Sequence, residues 1–342
     1  MRLLQALLCA ATLVPINPIQ ESMAQEQQVS SNVPTIQVTS RLVFLDVTVL
    51  DKKGHPVVTG LTKDDFLITE DKKPQRIFSF EAPDTHAMDP NAGDDNPDGK
   101  APVTIFVLDL LNSSFEDFAF IRDSVRKYLA SEPMQLSSPA ELMVIGNQSL
   151  EMVQGYTRNK EDLLYALDHL PPALPYKMMN SSFFVERFVQ SIDALQQIAL
   201  QNKGVPGRKN IVWAGHGGPN LSMAAYNGLP VFDELKEYAH TTTNMLVDAR
   251  ITLFVIYPEL IIQGTNMVRG PNPGTFTVRG MNMSTSAMDA DADIGDDEPF
   301  SGDINFGLFV NETGGKLFYN RNDIENEIRR SEQLGSEYYT LT

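Results

Sequence analysis

Asp109 stands at the end of an apolar run, Pro102-Val-Thr-Ile-Phe-Val-Leu-Asp109, and Leu110-Leu111-Asn112-Ser113-Ser114 follows it. From Ile105 to Leu110 every residue but Asp109 is apolar, the pattern of a strand buried on both faces. A helical periodicity starts near Phe115 and runs to Ala130. The carboxylate is therefore expected at the C-terminal end of a strand, where open α/β sheets bind their ligands. Asp, Asn and Ser oxygens at such an edge can hold a hard cation. The same residues can also serve a local task, with Asp109 and Asn112 shaping the turn and capping the next helix. Spacing alone leaves both readings open.

Other reactive-looking stretches are weaker. Asp289-Ala-Asp291-Ala-Asp293-Ile-Gly295 starts like a calcium-binding loop, but its glycine comes one place late and Phe300 stands where the last ligand belongs. A solvated acidic loop is the expectation there. Ala214-Gly215-His216-Gly217-Gly218-Pro219 looks like an esterase oxyanion loop, yet the chain has no Gly-x-Ser-x-Gly elbow to go with it. The histidines at 55, 86, 169, 216 and 240 show no metal-ligand spacing, although His216 could serve a softer metal. Dinucleotide, P-loop and zinc-protease motifs are missing from the sequence. The chain is expected not to be an enzyme. A paired-carboxylate hydrolase, which leaves no sequence signature, is the catalytic alternative.

These residues need a scaffold, and the sequence supplies one. Strands are expected at 103–109, 140–146, 150–155, 210–214, 251–257 and 315–319, and helices at 116–130, 159–169, 183–201, 231–247, 304–312 and 322–334. Their alternation predicts an α/β fold, a doubly wound, mostly parallel sheet with helices on both faces. Trp213 lies on a core strand and reads as packing. Residues 261–302 form a long insertion rich in Gly, Asn, Met and Asp, a candidate contact surface or mobile loop.

Ahead of this domain, residues 35–82 read as a small all-β domain, with a turn at Asp51–Gly54 and one helical turn around Thr62 and Asp65. Fewer than fifty residues make a marginal core, so the unit is expected to pack against something else. Residues 83–101 read as an acidic linker and 25–34 as a polar, disordered stretch. Residues 336–342 begin a further strand, and strands beyond it would be expected to complete the β domain, whose edge is otherwise exposed.

The first 24 residues read as an export signal, with a basic start, an apolar stretch from Ala6 to Val14, and Ser22-Met23-Ala24 as the cleavage site. The protein is thus expected to be periplasmic, on the cell surface or extracellular. No later run matches the roughly 20 apolar residues of a membrane span. The single cysteine, Cys9, lies inside the signal, so the exported chain has no thiol chemistry. A net charge of −17 argues against nucleic acid and anionic membranes and suits cations or a basic partner.

Val47-Thr-Val-Leu-Asp-Lys-Lys-Gly54, Val58-Thr-Gly-Leu-Thr-Lys-Asp-Asp-Phe66 and Gln75-Arg-Ile-Phe-Ser-Phe80 resemble the opening of the acidobacterial VWFA-related proteins. So do Gly207-Arg-Lys-Asn-Ile-Val-Trp213, Thr313-Gly-Gly-Lys-Leu-Phe318 and Ser336-Glu-Tyr-Tyr-Thr-Leu341. The resemblance runs from about residue 36 to 342 and implies a von Willebrand factor A-like domain over 102–335. Metal-dependent members hold Mg2+ with an Asp-x-Ser-x-Ser motif, a distant Thr and a distant Asp. Here Asp109 and Ser113 match the first motif, while Leu111 replaces its first Ser. Ser181 and Ser182 stand where the Thr is expected, and Ala214–Gly218 brings no carboxylate where the Asp belongs. The resemblance thus implies a degenerate site for Mg2+ or another divalent cation at Asp109, Ser113, Ser181 and Ser182. It implies an exported protein-binding or adhesion module whose rim, His216 included, meets a protein partner. A cell-envelope scaffold is the structural alternative.

Overall fold

The computed structural model describes residues 42–88, 101–147, 149–170, 184–218, 230–258, 268–269, 275–278, 281–284, 304–321 and 323–342. The chain divides after Leu42, and the unit described below is Val43–Thr342. Ser181, Ser182, the calcium-loop-like acids, and the leader and polar stretch over 1–34 all lie outside the described residues.

Short strands open the unit: β1 (Leu45–Val47), β2 (Ile68–Glu70), β3 (Lys73–Gln75) and β4 (Phe80–Glu81). Asp51–Gly54 turns the chain through a Gly54 N–H bond to the Asp51 carbonyl, 2.9 Å. The expected helical turn is Lys63–Asp65, and the Asp65 carboxylate accepts from the Thr62 N–H at 2.7 Å and the Thr62 hydroxyl at 2.9 Å. β2 and β3 form a hairpin whose two turn residues, Asp71 and Lys72, both have positive φ, the requirement of the tight turn that matches strand twist.

The larger part continues as β5 (Val103–Asp109), α1 (Phe115–Ser131), β6 (Gln135–Ile145), β7 (Leu150–Asn159), α2 (Lys160–Asp168), α3 (Phe184–Asn202), β8 (Lys209–Ala214), α4 (Pro230–Asp248) and β9 (Ile251–Pro258). Three short antiparallel strands follow inside the insertion, β10 (Val268–Arg269), β11 (Thr275–Val278) and β12 (Met281–Ser284). α5 (Gly307–Glu312), β13 (Lys316–Arg321), α6 (Ile324–Ser336) and β14 (Tyr339–Leu341) complete it.

Among the described residues, six strands make one sheet in the order β13-β9-β8-β5-β6-β7. All neighbours run parallel except β6 and β7. β6 is longer than the apolar run at 140–146 suggests. Its first residues, around Pro139, extend past the start of β5 and pair only with the edge strand β7, through register shifts. A proline is tolerated in a sheet at such an irregular edge.

Each central strand is buried along its length, so alternate residues feed two separate cores. Ile105, Val107, Ile211, Trp213, Leu253 and Val255 pack beneath α3, α4 and α5. Phe106, Leu108, Val212, Ala214, Phe254 and Ile256 pack beneath α1, α2 and α6. Side chains from the same strand thus bind both helical layers to one sheet. The expected doubly wound fold is present.

The last strand finds its partners at the other end of the chain. β14 lies between β1 and β4, antiparallel to both, with Leu45 opposite Leu341 and Thr340 opposite Glu81. The strand in the middle of the β unit is therefore the chain's own Tyr339–Leu341. Tyr339 meets Phe66 and Phe80 at ring distances of 5.5 and 5.6 Å, and its hydroxyl donates to the Val57 carbonyl at 2.9 Å. A polar seam joins the unit to the base of the large sheet. Arg250, just before β9, grips Asp46 with Nε at 3.0 Å and Nη2 at 2.6 Å, and the Thr340 hydroxyl donates to Asp46 Oδ1 at 2.7 Å. Arg208 stacks over the Tyr338 ring, whose other stacking partner is His86.

Candidate functional site at the sheet crossing

The chain leaves β5 toward β6 on one side and later returns to β8 on the other, so the strand order reverses between β5 and β8. In open α/β sheets ligands bind at such a reversal, where the loops leaving the two strands turn opposite ways; here Gly215–Gly218 after β8 closes onto Asp109. Asp109 ends β5 at this point and is fully buried. The turn after it is fastened to the end of β6, because the N–H groups of Leu110 and Leu111 both donate to the Ile145 carbonyl at 3.0 and 3.1 Å. Ser114 then caps α1. Its hydroxyl oxygen accepts from the Asp117 N–H at 3.1 Å and donates to the Asp117 carboxylate at 2.8 Å.

The Asp109 carboxylate is surrounded by donors. Asn112 gives its backbone N–H to Oδ1 at 2.9 Å and its side-chain amide to Oδ1 at 3.2 Å and Oδ2 at 3.1 Å. The Trp213 indole N–H reaches Oδ2 at 3.1 Å, and the Gly217 N–H reaches it at 2.7 Å. The Asn112 amide also donates to the Ser191 hydroxyl on α3 at 3.0 Å. One carboxylate thus ties together its own turn, β8, the loop after β8 and, through Asn112, α3.

Two glycines make this approach possible. Gly215 has φ +143°, and a Cβ there would lie 2.3 Å from the Asp109 Cβ. Gly217 has φ +69°, and a Cβ there would lie 2.2 Å from the Phe306 ring. Only glycine takes these backbone angles without strain, so the Gly-rich run after β8 serves to lay a backbone N–H against Asp109. The oxyanion-loop likeness has this physical content.

Of the residues expected at the site, Asp109, Asn112 and the His216 loop come together. Ser113 is buried in the turn, and its hydroxyl oxygen has no hydrogen-bond partner. Asn112 Oδ1 and His216 Nδ1 are likewise buried without one. Leu111, in the position of a ligand Ser, sits fully buried in the core beneath α3. Burial holds the His216 pKa below its ordinary 6.5, against the opposing pull of Asp109 and Asp117, and nearby Arg187 adds to the lowering. Trp213 and Ser191 belong to the site although the sequence does not mark them so. An indole N–H on a strand buried on both faces must find an acceptor, and that was the available signal.

Among the described residues, the groups at the sheet crossing do not fit an octahedral Mg2+ shell. A carboxylate offers about four lone-pair positions, and five N–H···O contacts already converge on Asp109. Among the described residues, no group of three or more His, Asp or Glu side chains is arranged to hold a metal ion.

The reversed strand order, the antiparallel edge strand, the two helical layers and the carboxylate at the crossing define a von Willebrand factor A-like architecture. The chain is similar to an aerotolerance-related membrane protein from Bacteroides fragilis carrying multiple mutations to serines, at 12% identity and TM-score 0.35, over 68% of this chain and 98% of that one. It is similar to the SpRpn10 VWA domain at 17% identity and TM-score 0.30, over 46% of this chain and 75% of that one. It is also similar to proximal thread matrix protein 1 of the mussel byssus, at 14% identity and TM-score 0.30, over 46% of this chain and 38% of that one. No family model and no curated protein matches the chain. The fold assignment rests on the strand order and layers, not on these distant likenesses.

Proposed function

We propose that the chain is an exported protein-interaction module. In this reading the upper rim of the A-like domain, around Asp109, Ser113, Ser181, Ser182 and His216, meets a protein partner across a degenerate ion site. The observation that carries it is the sheet crossing, where the turn after β5 leads into Phe115, the first residue of α1, which is 64% exposed. An exposed aromatic ring at the start of α1, next to the sheet crossing, suits a contact surface. The enclosed Asp109 favours binding over catalysis, because its oxygens face N–H donors and have no free lone pair for a substrate proton. The leader over residues 1–24 supports export, and the net charge of −17 favours a basic partner over nucleic acid or an anionic membrane. Among the described residues no helix is long and apolar enough to cross a membrane.

Two measurements test this reading. Expression of the full chain with cell fractionation, followed by N-terminal sequencing, should give an exported protein beginning at Gln25; a retained chain keeping Met1 refutes export. Partners captured on the wild-type protein should bind again as purified proteins and lose affinity at least tenfold on Phe115→Arg. They should keep it on Tyr165→Arg, an exposed change on α2. Equal loss from both changes, or from neither, refutes the rim as the contact surface.

A further inference from the structure

We propose that the apex of this domain holds no divalent cation, and that Asp109 works there as an internal hydrogen-bond hub in the place an ion would occupy. The inference concerns the apex alone and stands whether or not the rim meets a partner. The donor hydrogens carry partial positive charge and already point at both carboxylate oxygens, from the Asn112 turn, the Trp213 indole and the Gly217 backbone. A cation would have to displace at least one of them and then sit beside its positive end.

None of these donors is free to swing away. Trp213 is fully buried with its ring 4.8 Å from Phe306. Gly217 lies so close to the same Phe306 ring that even a Cβ finds no room. The Asn112 amide is held on its other side by the Ser191 hydroxyl. The donors are therefore fixed by packing before any ligand arrives, much as preorganised dipoles hold an anion. Among the described residues, the Lewis-basic atoms left without partners beside Asp109 are Asn112 Oδ1, Ser113 Oγ and His216 Nδ1. All three belong to neutral groups. Mg2+ needs near-octahedral oxygen ligands and Ca2+ about six to eight oxygens, carboxylates among them; here the Asp109 carboxylate is taken up by N–H donors and the nearby Asp117 carboxylate by the Ser114 hydroxyl.

Trp213 makes the test direct, because it is the chain's only tryptophan and its N–H bonds to Asp109. The full chain, stripped with chelator, is titrated with Mg2+, Ca2+ and Mn2+ into the millimolar range while tryptophan emission and melting temperature are recorded. The expected result is an emission maximum and intensity that do not change saturably with any ion. Asp109→Asn should shift the emission in the presence of chelator alone, since an amide nitrogen then faces the donors. A saturable shift, or saturable quenching by Mn2+, in the wild type overturns the proposal and needs no variant to interpret. A melting temperature that rises while emission stays fixed places the ion elsewhere on this acidic chain and upholds an ion-free apex.

Discussion

Replacing Tyr339 should release the β unit while leaving the large sheet folded. The ring is 1% exposed and packs against Phe66 and Phe80, and these two are 5.8 Å apart. Truncating a buried aromatic to Ala costs about 3–5 kcal/mol, from lost transfer energy and the cavity left behind. The hydroxyl bond to the Val57 carbonyl contributes about 1 kcal/mol of its own. Tyr339→Phe should therefore cost about 1 kcal/mol and Tyr339→Ala about 4 kcal/mol. Because β14 is the central strand, the loss falls on the pairing of β1 and β4. Amide hydrogen exchange reads this locally: about 1.4 kcal/mol is a factor of ten, so Tyr339→Ala should speed exchange of β1 and β4 amides about a thousandfold and Tyr339→Phe about fivefold. Ile105–Leu108 in β5, packed between two helical layers, should change far less. Unchanged exchange in β1 and β4 would refute the role of the aromatic trio. Equal acceleration in β5 would refute the separation of the β unit from the large sheet.

Asp46 and Arg250 form the main charged link between the β unit and the base of the sheet, with side chains 11% and 25% exposed. Asp46→Asn should destabilise by about 2 kcal/mol, less than the 3–5 kcal/mol of a fully buried pair. In urea unfolding, the double variant with Arg250→Gln should recover part of that loss; simple additivity would refute the coupling. Gly215→Ala forces a Cβ into Asp109 at positive φ and should lower the melting temperature and shift Trp213 emission together; a tolerated Gly215→Ala would contradict the close approach. Glu141 is buried on β6, and burial raises its pKa to about 7 from an ordinary 4.5, the Tyr156 hydroxyl opposing this. The folded state then holds a proton that the unfolded chain has released, so this contribution is full below about pH 4.5 and is lost as pH rises through about 7. The loss is at most about 3 kcal/mol. Glu141→Gln should flatten that part of the stability–pH curve, and an unchanged slope would refute the assignment.

The strands and helices were legible because their patterns admit few alternatives. Val103–Asp109 is a strand at the expected limits, and the helix expected at 116–130 spans Phe115–Ser131. A short, mostly apolar run and a 3.6-residue periodicity each suit one kind of buried element. The site was legible only as a location. Asp109 could be placed at the sheet edge, but its donors come from its own turn, from an indole on β8 and from the backbone of the loop after β8, and a backbone N–H leaves no mark in the sequence. Asn112 shows the same limit from the other side. Its amide can accept or donate, and here it donates to Asp109. The partners of β14 were hidden for a different reason. Tyr339-Thr-Leu341 reads as a strand, yet nothing local says that its neighbours are Leu45–Val47 and Phe80–Glu81.

That pairing fixes an order of events during synthesis. The Tyr339 hydroxyl and its acceptor on Val57 are 282 residues apart, and Thr340 and Asp46 are 294 apart. At ~5–20 residues per second, the ribosome needs ~15–60 s to add the strand that sits at the centre of the β unit. Through that interval β1 and β4 have no strand between them, and Leu67 and Phe78, exposed even in the finished fold, wait alongside them. Helices and parallel strands of the large sheet can form meanwhile from nearer contacts, since closing the longest loops is the slow step. The β unit, begun at β1, is therefore the last of these elements to acquire its fold.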